Sequence, residues 1–122
     1  MQFVMVIYEG AKEIEGRTTV KTDPYIAAWR AYYQELLKAG VYVGGAPLAP
    51  VSLATTVRVR DGAAQVQDGP YAESKEQLGG FIILEVPNLD AALDWAKRCP
   101  AARYGAIEVR PHATETHEAI VG

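Results

Sequence analysis

The sequence predicts an α+β fold, a ferredoxin-like sandwich in which two strand–helix–strand halves flank an inserted β-hairpin. Three observations carry the prediction. Two continuous apolar runs of strand character, Phe3 to Tyr8 and Phe81 to Val86, are each followed by one amphipathic helical stretch and a further strand. Asp61-Gly62 separates two extended stretches, the pattern of a tight hairpin. Only two helices are expected in 122 residues, so both lie on one face of an antiparallel sheet and the other face needs cover. A second copy supplies that cover through a two-fold axis, so a homodimer is expected.

Each element has a local reason. Gln2 to Tyr8 is unbroken in Val, Ile and Phe, which suits a central strand covered on both faces. Glu9 to Thr22 mixes glycine, charge and threonine without a period and reads as a loop. Asp23 caps a helix that begins at Pro24, and Ile26, Trp29, Tyr33, Leu36 and Leu37 recur along it at three- and four-residue steps. Tyr25, Tyr32 and Tyr42 add aromatic surface near this helix, as core or dimer cover. Gly40 suits a left-handed cap, and Val41-Tyr42-Val43 restarts an extended segment, which Gly44 to Pro50 then breaks.

Ala54 to Arg60 alternates in character, turns at Asp61-Gly62 and returns through Gln65-Val66-Gln67 into Asp68-Gly69-Pro70. That tripeptide reads as a rigid bend, since Pro70 fixes its own φ and Gly69 reaches conformations closed to other residues. Gly79-Gly80 lets the backbone approach something closely, just before the second buried strand, Phe81 to Val86. Asn88 caps a helix with Leu89, Ala92, Leu93 and Ala96 inward; Pro100 stops it, and Tyr104 to Arg110 forms the last strand. One domain is therefore expected over residues 1–111, with a polar tail over 112–122.

Composition narrows the function. At 49% apolar content, a 122-residue chain suits a single core that buries roughly two-thirds of the unfolded surface. A net charge of −3 and a pI near 5.3, with no basic cluster interleaved with aromatics, argue against direct contact with nucleic acid. The apolar start lacks the flanks of a secretory signal, and no stretch approaches the ~18 apolar residues of a membrane span. A cytoplasmic, bacterial-type soluble protein is the expectation. The single Cys99 excludes an intrachain disulfide and reads as a small, half-buried apolar residue.

The candidate chemistry clusters after the bend. Asp68 and Glu73 are candidate general bases, Lys75 could steady a developing anion, and Tyr71 supplies an aromatic ring. The bland reading is that Asp68 caps the turn while Glu73, Lys75 and Glu76 are solvated. Tyr8 and Arg110 end two strands; were these neighbours, both would lie near one cleft rim and could orient a small anionic or phenolic ligand. His112 and His117, with Glu115 and Glu118, are five residues apart where a helical metal site wants three or four, so no metal is expected. No cofactor is expected either, since neither glycine pair has phosphate-cradling spacing, and both histidines lie in a tail expected to be disordered or to dock a partner.

The stretch Asp68-Gly69-Pro70-Tyr71 with its Glu/Lys-rich loop and Gly79-Gly80 resembles the DGPF branch of the YCII-related family. The resemblance extends to Phe3–Tyr8, Val41–Gly45, Thr56–Gly62 and Asn88–Ala96, nearly the whole chain up to Pro111. It implies a dimeric α/β barrel and, because such proteins are often encoded beside extracytoplasmic-function sigma factors, a functional link to a sigma factor pathway. Tyr71 stands where the family name carries Phe. Members of the other branch resemble small enzymes using a His-Asp pair, which does not transfer to a chain whose histidines both lie in the tail. The favoured reading is a dimer that binds a small polar or aromatic molecule beside the Asp68–Lys75 loop, with acid–base chemistry as an open extension. The alternative is a regulatory interaction module.

Overall fold

Four strands form one antiparallel sheet in the order β2-β5-β1-β6, with β1 spanning Gln2–Gly10, β2 Tyr42–Pro47, β5 Glu76–Glu85 and β6 Ala106–Pro111. Among the described residues, strands β3 (Thr55–Arg60) and β4 (Ala63–Asp68) pair only with each other, as the hairpin inserted between the halves. The structure is a computed structural model and describes residues 1–17 and 23–122. Helices α2 (Pro24–Ala39) and α3 (Leu89–Arg98) cover one sheet face; two shorter helices, α1 (Ala11–Gly16) and α4 (Thr114–Val121), complete the described elements. No described helix is long and apolar enough to cross a membrane.

The end signals act as their chemistry requires. The Asp23 carboxylate accepts from Tyr25 N at 2.7 Å, and Asn88 accepts from Ala91 N at 2.9 Å, each satisfying an amide that the first helical turn leaves unpaired. Gly40 closes α2 at φ 70°, and the hairpin turn places Asp61 and Gly62 at φ 52° and 79°, both in the left-handed region of a type I′ turn. Phe3, Met5 and Ile7 of β1 pack with Ile82 and Leu84 of β5 beneath Tyr32, Leu36, Ala92 and Ala96.

Several expectations are corrected. The stretch after β1 is not loop throughout, because Ala11–Gly16 winds into α1, which buries Ile14; residues 18–22 lie outside the described part. The inward face of α2 runs through Trp29, Tyr32 and Leu36, while Tyr33 and Leu37 are exposed. Tyr32 can be core because its hydroxyl donates to Trp95 O at 2.7 Å. Helix α3 turns Ala92 and Ala96 inward, leaving Leu89 and Leu93 exposed, since the small side chains let it approach the sheet. Gly44 to Pro47 continues β2 as an edge strand, the position where glycine and proline are tolerated. The tail is not disordered: Thr114–Val121 is helical, with exposed Ile120 and Val121.

Candidate functional site

The alternation of β1 builds the site. Phe3, Met5 and Ile7 face the helices, and Glu9 follows in the same phase, so its carboxylate enters the interior and is 0% exposed. A register shift between Ile7 and Tyr8 passes Ile7 from Gly80 to a Tyr8–Leu78 pair, leaving Gly79 as the extra residue of β5. A Cβ on Gly79 would lie 2.1 Å from Glu9 Oε1, so the approach that the glycine pair permits is made to this carboxylate.

Two groups hold Glu9. Arg17 Nη1 donates to Oε1 at 2.9 Å, and the Tyr25 hydroxyl donates to Oε2. Arg17 Nη2 also donates to Leu48 O and, at 3.1 Å, to Gly79 O. The Arg17 side chain is largely buried, and an ion pair this enclosed depends on both partners, since either alone would be an uncompensated buried charge. Burial, together with the carboxylate it faces, raises the Tyr25 phenol above the ordinary tyrosine range, and the nearby Trp29 N–H offsets part of that rise. Among the described residues, buried Trp29 Nε1 has no hydrogen-bond partner.

Beside this cluster lies a cavity of about 360 Å³, lined by Glu9 and Arg17 and by apolar and aromatic residues that include Ile7, Trp29, Tyr33 and Tyr42. Tyr25 lines a second groove of about 740 Å³ with Lys12, Asp23, Arg98 and Arg103. In the first, a fully buried carboxylate and a largely buried guanidinium meet an aromatic wall. That arrangement can seat a planar ring, accept a proton from it and hold an oxygen.

The residues expected from sequence fall elsewhere. Asp68, Tyr71, Glu73 and Lys75 are exposed, and Arg58 stacks on the Tyr71 ring at 5.4 Å from its centroid. Among the described residues Asp68, Glu73 and Lys75 enter no ion pair. The loop does lead into Gly79-Gly80, which forms part of the cavity wall. Tyr8 and Arg110 are on neighbouring strands, but Tyr8 pairs with Ala106 and Arg110 with Val4, a separation of roughly 13 Å along the strand. Both lie on the sheet face away from the helices, where the Tyr8 hydroxyl makes a long 3.4 Å contact with Glu108. His112 and His117 stack at 5.4 Å between ring centroids, with His112 Nδ1 3.0 Å from Thr114 Oγ1. No described cluster of three or more metal-binding side chains exists.

Glu9, Arg17 and Tyr25 escape a sequence reading because Val4, Val6 and Tyr8 are also apolar or aromatic, which hides the alternation that carries Glu9 inward. The available signal was a charged residue in phase with Phe3, Met5 and Ile7.

Residues 1–113 match the YCII-related domain. The chain belongs to the YCII-related family. An uncharacterised protein of Rhizobium meliloti (strain 1021) is 41% identical over 85 residues, 68% of each chain. Among solved structures, this YCII-related protein is similar to 5-chloro-2-hydroxyhydroquinone dehydrochlorinase of Burkholderia phenoliruptrix AC1100, in complex with 2,5-dihydroxybenzoquinone. That similarity has a TM-score of 0.51 at 20% identity, covers 90% of this chain and 91% of the other, and is a likeness of fold.

Proposed function

We propose that this protein binds a small planar aromatic molecule carrying ring hydroxyl or carbonyl oxygens in the cavity above Glu9, and that Glu9 accepts a proton from it. The observation that carries the reading is a fully buried carboxylate, tied to Arg17 and Tyr25, at the side of an otherwise aromatic and apolar cavity. A buried ion pair is seldom the most stable way to fill such space, so its presence favours use over structure. In this reading the ring stacks against Trp29 and Tyr42, Glu9 removes a hydroxyl proton, and Arg17 steadies the oxyanion. The unpaired Trp29 N–H offers a further donor to a ligand oxygen. The ligand of the Burkholderia enzyme, a hydroxylated quinone, has the chemistry this cavity would take. The Asp68-Gly69-Pro70-Tyr71 turn is the ground for placing the chain in the DGPF branch.

The test is titration of the purified protein with 2,5-dihydroxybenzoquinone and simple hydroxyquinols, followed by calorimetry and by ring-proton shifts. Saturable binding that weakens about tenfold or more in Glu9→Gln is expected, the size of one lost charge-assisted hydrogen bond. Binding indifferent to Glu9→Gln, or absent across the series, would remove the assignment.

A further inference from the structure

The groove of about 740 Å³ is separate from the cavity beside Glu9, and among the described residues none lines both. One side of α2 forms its floor, where Tyr25, Ala28, Tyr32 and Glu35 recur at three- and four-residue steps. Across from it stand Arg98 at the end of α3 and the short helical turn Pro100–Arg103, which leads into Tyr104. The Tyr25 and Tyr104 rings meet edge to face, with centroids 5.8 Å apart and planes at 80°. Because the Tyr25 hydroxyl is anchored on Glu9, its ring is held in place as a wall before any ligand arrives. Tyr104 is more than half exposed.

The charges around this groove are unevenly used. Asp23 caps α2 through Tyr25 N, and Glu35 pairs with Arg98, whose guanidinium also rests on the Trp95 ring at 4.2 Å from its centroid. The Glu13 carboxylate turns back over the start of α1, where a Cβ on Gly10 would lie 2.6 Å from its Oε2. Lys12 and Arg103 are left, and neither has an ion-pair partner among the described residues. An aromatic wall therefore stands beside two cations whose charge nothing in the chain neutralises.

We propose that this groove is a second ligand site, which takes a small planar aromatic carboxylate with its ring against Tyr25 and Tyr104 and its carboxylate on Lys12 and Arg103. The ring supplies area that the tyrosines bury well, and the carboxylate makes charge-assisted hydrogen bonds to an ammonium and a guanidinium. A neutral ring would leave both cations without a counter-charge, and a small anion without a ring would leave the tyrosines wet. The site is independent of proton transfer at Glu9, since its groups lie outside that cavity.

The test is titration of the full chain with benzoate, followed through backbone amide shifts in NMR, with acetate as the ringless control. Saturable shifts are expected at Arg103 and Tyr104, with acetate binding about tenfold more weakly or worse. Lys12→Ala combined with Arg103→Ala should weaken benzoate about tenfold or more, and Tyr104→Ala should bring it down to the level of acetate. All three positions are exposed, so the variants should unfold as cooperatively as the wild type. Added salt should weaken benzoate in the wild type and have little effect in the double variant. Absent shifts at Arg103 and Tyr104 overturn the proposal, as does benzoate affinity indifferent to the double variant. Shifts confined to Gly45, Gly79 and Gly80 also overturn it, because benzoate would then occupy the cavity beside Glu9.

Discussion

The end of β1 and the hairpin with its following loop are both rich in charge, yet they use it in opposite ways. At the first, one carboxylate is enclosed completely and is held by Arg17 and Tyr25, which come from two separate segments. At the second, Asp68, Glu73 and Lys75 stand in solvent and the ordered contact is a guanidinium resting on a tyrosine ring. Density of charge along the chain is therefore a poor guide to chemistry. What distinguishes Glu9 is its exclusion from water, because electrostatic interactions strengthen as the surrounding dielectric falls.

The largest effects are expected at the ion pair. Glu9→Ala strands the Arg17 charge, and a loss of about 3 kcal/mol of unfolding free energy is expected in urea titrations; a change under 1 kcal/mol would mean that water reaches the cluster freely. Gly79→Ala forces a methyl against Glu9 Oε1, with an expected cost of about 1–3 kcal/mol and loss of hydroxyquinol binding in the calorimetric titration. At the exposed region, Glu73→Gln and Lys75→Ala should each stay within about 0.5 kcal/mol of wild type and leave that binding unchanged. If instead these two abolish binding while Glu9→Gln does not, the chemistry belongs to the loop.

Smaller effects sharpen the contrast. The Tyr25 phenol is raised above its ordinary value of 10.0 by burial and by Glu9, so the folded state holds this proton more tightly than the unfolded chain. Its contribution is fully present below pH 10.0 and is lost as pH rises through the folded value. Tyr25→Phe should accordingly flatten the alkaline fall in stability, measured by unfolding between neutral pH and pH 11. Burial pushes the Cys99 thiol up to about 12; at pH 8 a thiol reagent should label it only as the protein unfolds.

Elements with local backbone chemistry were legible in the chain. Asp23-Pro24, Gly40, Asp61-Gly62 and Asn88 each act within a few residues, so their roles need no knowledge of the fold. Tyr32 and Tyr33 could not be ranked in the same way, because the inward one is chosen by a carbonyl 63 residues away. The site was less legible still. Glu9, Arg17, Leu48 and Gly79 are joined by side-chain bonds spanning 8, 31 and 62 residues, and the glycine pair announced a close approach without naming what approached. Conversely, the loop after Asp68 attracts notice because turn chemistry and charge are visible in sequence, whatever its side chains do in space.

Arg17 has one further consequence. A single guanidinium joins the end of the first strand, the segment at Leu48 and the fifth strand at Gly79, while also lining the cavity. Any molecule that engages it from the cavity would bind the folded chain and not the unfolded one, so occupancy becomes heat resistance. By mass action, a ligand at a hundred times its dissociation constant adds about 2.7 kcal/mol, a displacement of the melting temperature large enough to read in a plate of dyes. The protein can thus be asked for its ligand before anyone knows what reaction to assay.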